Sequence, residues 1–116
     1  MPDSTPTTRL KQIEATYLDA MRNRSNDLAK AETDEERGAV RTNYVTAKNT
    51  YFAAAAAELT ENGQTVEEAY NALSGANDAV VKARKDLVEF AELFGKMGNA
   101  TEKAGELLTK AKKAIG

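Results

Sequence analysis

The sequence predicts an all-α protein, an antiparallel helical bundle of three long helices with a short fourth helix at the C-terminus. Three observations carry that prediction. Both prolines lie within the first six residues, so the alanine-rich remainder is free of the strongest helix breaker. Three signatures, Thr33 with Glu36, Thr65 with Glu68 and Asn99 with Glu102, mark starts where a side-chain oxygen and a glutamate each satisfy an unpaired amide. Between those starts, apolar residues recur at steps of three and four, the period of one helical face.

The first helix is expected over about 6–32, after a flexible segment 1–5, with Thr5 as its cap and Pro6 at the position where a missing amide costs nothing. Its apolar stripe, Leu10, Ile13, Tyr17, Met21 and Leu28, is loose. The second is expected over 34–61. Val40, Tyr44, Ala47, Tyr51 and Ala54 keep heptad spacing, with Phe52, Ala55 and Leu59 widening the stripe. Asn62-Gly63 then supplies a left-handed stop. The third is expected over 66–97 and has the clearest pattern: Val66, Ala69, Leu73, Ala76, Val80, Ala83, Leu87, Phe90, Phe94 and Met97 form one unbroken seam suited to a shallow helix crossing. Gly98 marks its end, with Gly95 as a rival stop, and the fourth helix follows over 100–115. At 1.5 Å per residue the long helices run roughly 40–48 Å and the fourth about 24 Å.

With 116 residues, there is room for one domain. Sixteen basic and eighteen acidic residues give a net charge of -2, which provides no global positive field for nucleic acid. Histidine and cysteine are absent, and with them the usual zinc ligands, thiol nucleophile and neutral-pH proton shuttle. No metal, cofactor or catalytic residue is expected. Glu35-Glu36 and Glu67-Glu68 fall in first helical turns, where acids answer the helix dipole rather than pair for catalysis. Gly95-Lys96-Met97-Gly98 lacks the spacing of a phosphate loop. The N-terminal residues do not read as a secretory signal, and the most apolar stretch, Tyr51 to Ala57, is too short to cross a bilayer. A cytoplasmic location is the expectation, to which the lack of cysteine adds.

Tyr17, Tyr44, Tyr51 and Tyr70 lie on or beside apolar stripes and read as core residues with hydrogen-bonded hydroxyls. The window from Arg37 to Ala57 contains no acid. Its bases are expected to meet carboxylates on the antiparallel third helix, Arg41 with Asp86, Arg37 with Glu89 and Lys48 with Asp78, as exposed pairs worth under about 1 kcal/mol each. The competing reading makes Arg37, Arg41 and Lys48 an anion or polar contact face. Neighbouring Thr42, Asn43, Thr46, Asn49 and Thr50 suit a polar contact surface as well.

These features point to a non-enzymatic protein–protein interaction module, an adaptor, inhibitor or immunity-type partner, or a subunit of a homo-oligomer, acting through helix faces. The expected face is Phe90, Leu93, Phe94 and Met97 with Leu107, Leu108 and Ile115, because more apolar surface gathers there than one neighbour can bury. One alternative is an amphipathic protein that attaches to a lipid or granule surface by its C-terminal helix, where Lys103, Lys110, Lys112 and Lys113 outnumber Glu102 and Glu106. A remote alternative is an enzyme with an unrecognised carboxylate site.

Overall fold

A computed structural model describes residues 4–113. The described chain is 83% helical and contains no strand, which makes the protein all-α. It forms five helices rather than the four expected: α1 (Pro6–Arg22), α2 (Arg24–Lys30), α3 (Asp34–Ala56), α4 (Gln64–Lys85) and α5 (Phe90–Ala111). The expected C-terminus of the fourth helix, including Ile115, lies outside the described residues, as does most of the segment 1–5.

Two of the four expected starts form as read. Thr5 Oγ1 accepts the Thr8 amide at 3.1 Å, and Pro6 opens α1. Thr33 and Glu36 close a reciprocal box on α3, with Glu36 N donating to Thr33 Oγ1 at 3.0 Å and Thr33 N donating to Glu36 Oε1 at 3.1 Å. The other two do not cap. α4 starts at Gln64, ahead of Thr65, behind Gly63 at φ 125°, and Asn99 lies inside α5.

Three breaks fall where the sequence reads as continuous helix. The first helix is interrupted at Asn23 (φ -103°, ψ 4°), whose Nδ2 donates to the Asp19 carbonyl at 2.9 Å, a side chain competing for a helix acceptor. α3 stops at Ala56, five residues short of its expected end. In a continued helix Leu59 would stand two turns beyond exposed Phe52 on the same outward stripe. By leaving the helix the chain turns Leu59 into the core instead. The extended strap 57–63 then joins the C-terminus through Glu61 N to Ala111 O at 3.0 Å and Lys113 N to Glu58 O at 2.7 Å. The third break corrects the expected helix over 66–97. The chain leaves α4 at Asp86 and reverses, with Leu87 at φ 55°. Leu87 N donates to Arg84 O and Val88 N to Ala83 O, the paired bonds of a left-handed helix stop. Gly95 and Gly98, both expected stops, lie in the interior of α5.

The seam Val66, Ala69, Leu73, Ala76, Val80 and Ala83 is buried as its spacing implies. α5 folds back along α4 and also packs on α1 and α3, while α3 packs on α1 and α5. α3 and α4 are not packed along each other, because the strap carries the chain across the bundle before α4 begins. For that reason the expected pairs Arg41–Asp86, Arg37–Glu89 and Lys48–Asp78 do not form. Asp86 pairs with Lys82 and Arg37 with Asp34, each on its own helix.

Two apolar clusters fill the interior. One joins Ile13, Ala54, Leu59, Val66, Leu73 and Leu107; the other joins Val80, Ala83, Leu93 and Met97. A polar layer on α1 and α4 includes Thr16 Oγ1 donating to Asn77 Oδ1 at 2.8 Å and Asn77 Nδ2 donating to Gln12 O at 3.0 Å. An arginine locks each end. Arg9, fully buried, donates to the carbonyls of Leu59 and Glu61, to Asn62 Oδ1 and to Glu67 Oε2, tying α1 to the strap and to α4. At the opposite end Arg84 ties α4 to Asp19 and Asp27.

Candidate functional site

The expected face on the C-terminal half is mostly interior. Leu93, Met97 and Leu107 are buried, and Phe94 and Leu108 are half-buried against the two clusters. Phe90, also half-buried, stacks on Phe94 with ring centres 5.8 Å apart. The reversal at 86–89 is the cause. It folds α5 onto α4, so the apolar excess the sequence shows is spent within the chain.

A different surface gathers the chemistry, on α1, α2 and α3. Tyr17 of α1 stacks on Tyr51 of α3 at 5.5 Å between ring centres, and meets Tyr44 at 6.0 Å and Phe52 at 6.1 Å. Such pairs contribute about 0.5–1.5 kcal/mol beyond the area they bury. The tyrosines are half-buried rather than core. The Tyr51 hydroxyl donates to Glu14 at 2.9 Å, and this bond, followed by burial, raises its pKa above the ordinary value. Burial first, and the Tyr44 hydroxyl second, do the same for Tyr17. Both rings stay neutral at any physiological pH.

Cations border these rings. The Arg24 guanidinium lies 4.8 Å from the centre of the Tyr44 ring, within cation–π range. Arg24, Leu28, Arg41, Tyr44, Val45 and Lys48 enclose an open pocket of about 450 Å³ between α2 and α3. Of the bases in the acid-free window, Arg41 and Lys48 therefore come together while Arg37 does not. Arg37 bonds the Ala31 carbonyl and Asp34, fixing the α2–α3 corner. Among the described residues no carboxylate forms an ion pair with Arg24, Arg41 or Lys48. The acids of α1 are engaged elsewhere, Glu14 by Tyr51 and Asp19 by Arg84.

Large apolar side chains are exposed on the same face. Val45 is 51% exposed and Phe52 53%, and Met21 stands one turn beyond Tyr17 on α1. The sequence contained the signal for this surface: Arg41, Val45, Lys48 and Phe52 follow one another at steps of four, three and four. Reading Phe52 as a widening of the core stripe hid it. Arg24 could not be found that way, because only the break at Asn23 brings α2 against α3.

A second groove, about 540 Å³, runs between α3 and α5 past Thr42, Asn43, Thr46 and Thr50, opposite Gly98 and Gly105. Four of the five uncharged polar residues singled out in the sequence thus share one side of α3, away from the cations. Among the described residues, no three acidic side chains gather in the way metal ligands do, and no helix is long and apolar enough to cross a membrane. Compared with known protein families, with curated proteins and with solved structures, the chain matches none.

Proposed function

We propose that this protein is a non-enzymatic interaction module that binds an acidic, partly apolar protein surface through the α1–α3 face. One observation carries the reading: three cations without carboxylate partners among the described residues stand beside Tyr44, Val45 and Phe52 on a single exposed surface. Tyrosine, arginine and exposed apolar residues in one patch are the composition of binding hot spots. The unpaired cations add long-range attraction for an acidic partner. A lipid-surface role for the C-terminal helix has less support, because Ala104, Leu107 and Ala111, the apolar side of that helix, are buried against α1, α3 and α4. A cytoplasmic setting belongs to the same proposal.

The test uses the folded full chain immobilised beside its Arg41→Glu/Phe52→Ser variant, both exposed to native extract at rising salt. Proteins held by the wild type, lost by the variant and eluted by moderate salt are the expected result. Identical sets on both, with circular dichroism showing both folded, would defeat the assignment of this face.

A further inference from the structure

Resting on that reading, we infer that the segment docking on this face is an acidic amphipathic helix lying along α3. Arg41, Val45, Lys48 and Phe52 form a second stripe on α3, turned away from the core stripe Val40, Asn43, Ala47 and Ala54 and with the pitch of a coiled-coil seam. It alternates cation, apolar, cation, aromatic. From Arg41 to Phe52 the rise is about 16 Å, three helical turns, with a contact every ~5.5 Å. A second helix presenting acid, apolar, acid, apolar at steps of four, three and four meets every position in register. An extended peptide repeats on one side about every 6.8 Å and falls ~4 Å out of step over the same three intervals. The seam also has a wall to lie against. Arg24 and Leu28 of α2 close one side of the pocket that Arg41, Tyr44, Val45 and Lys48 line from α3, giving a groove in which an apolar side chain is flanked by cations.

Charge complementarity decides the occupant. No acid among the described residues pairs with Arg24, Arg41 or Lys48, so a basic or neutral helix would leave three cations confronting its backbone and side chains. Glutamates at the first and third seam positions answer Arg41 and Lys48, and leucines at the second and fourth cover Val45 and Phe52.

Calorimetric titration of the full chain with three synthetic peptides of equal length tests this. The first is a helical peptide with Glu, Leu, Glu and Leu at the four seam positions. The second is a scramble of identical composition and the third has Lys for each seam Glu. Binding of the first at least tenfold tighter than the scramble is expected. Arg41→Glu/Lys48→Glu should reverse the preference, taking the lysine peptide and rejecting the acidic one, with unchanged helicity by circular dichroism. Equal affinity for the patterned and scrambled acidic peptides overturns the helix while leaving an acidic partner in place. The same holds if neither peptide binds although extract proteins remain seam-dependent. Charge reversal without effect on peptides or on extract proteins overturns both readings. A dimer in sedimentation velocity that dissociates on Arg41→Glu/Lys48→Glu assigns the seam to a second copy and overturns the foreign helix.

Discussion

Asp27 of α2 receives both terminal nitrogens of Arg84 from α4, Nη1 to Oδ1 at 2.8 Å and Nη2 to Oδ2 at 3.0 Å. The same guanidinium reaches Asp19 of α1 at 2.9 Å, so one side chain fastens three helices. Burial alone would depress the Arg84 pKa, but the hydrogen bonds to Asp27 and Asp19 outweigh it and hold the group above its ordinary range. With only seven residues, α2 is too short to be stable by itself. The clamp keeps it in place, and α2 carries Arg24 and Leu28 of the candidate face.

Replacing Asp27 by Ala removes a fully buried carboxylate and leaves Arg84 with one acid instead of two. The expected loss is about 2–3 kcal/mol, the range for a charged hydrogen bond broken at a buried site. Urea unfolding measures it. Binding through the α1–α3 face should weaken in step, since α2 loses its anchor; a loss of stability under 1 kcal/mol would show that α2 is held by its packing.

At the other end of the bundle, Glu67 accepts the Ser4 amide at 2.8 Å, the Ser4 hydroxyl at 2.7 Å and Arg9 Nη2 at 3.1 Å. The Ser4 amide is the main cause of a pKa below the usual 4.5, with the Ser4 hydroxyl and Arg9 adding to it against a smaller opposing effect of burial. A carboxylate whose folded pKa is depressed stabilises the fold fully above its unfolded value. That stability is lost as pH falls from about 4.5 through the lower folded pKa. Thermal melts from pH 7 to 2.5 should therefore show a fall in Tm confined to the acidic end. In Glu67→Gln that fall should be shallower, starting from a lower Tm at pH 7.

Leu87 sits at the left-handed position of the α4 stop, 81% exposed and at φ 55°. A side chain there costs about 1–2 kcal/mol that glycine avoids, and so little of Leu87 is buried that its removal sacrifices almost no packing. Leu87→Gly should stabilise the protein by about 1 kcal/mol after the added freedom of the unfolded chain is counted. Leu87→Ala, which keeps the Cβ, should give no such gain. Equal unfolding midpoints for the glycine and alanine variants would mean that the backbone bears no strain at this turn.

The same residue explains which parts of the fold were legible. Core stripes follow from period alone, so Val66 to Ala83 and Val40 to Ala54 are readable, and two caps are readable because Thr33–Glu36 and Thr5–Pro6 have a local mechanism. The break at 86–89 is not, because the position that normally takes glycine carries leucine in phase with the seam, while Gly95 and Gly98 sit exposed or half-exposed in an unbroken helix. An early end to α3 is illegible for a similar reason: alanines 53–57 favour helix, and only the tertiary fate of Leu59 ends it. That strap also decides the arrangement of the site. It moved α4 away from α3 and freed Arg41 and Lys48 from their expected partners, while the reversal at 86–89 let α5 bury the face that sequence alone left open.

Thr101 tests how much the polar layer costs. Its Oγ1 is buried without a hydrogen-bond partner, beside a cavity of about 60 Å³ lined also by Thr16, Asn43 and Asn77. A buried hydroxyl that makes no bond forfeits its hydration with nothing in return, a penalty of about 1–3 kcal/mol. Valine has nearly the same shape and the same branched preference within a helix, so Thr101→Val removes the penalty while keeping the packing around Ala100 and Met97. The expected outcome is a gain of about 1 kcal/mol in urea unfolding, the lower end of that penalty. Thr101 belongs to α5 and faces Asn43 and Thr46 on the side of α3 away from the cations, so the same variant should leave peptide binding at the α3 seam unchanged. A loss of stability instead of a gain would show that the hydroxyl is bonded in the folded protein. A change in seam affinity without a change in stability would mean that the polar layer sets the position of α3 from behind.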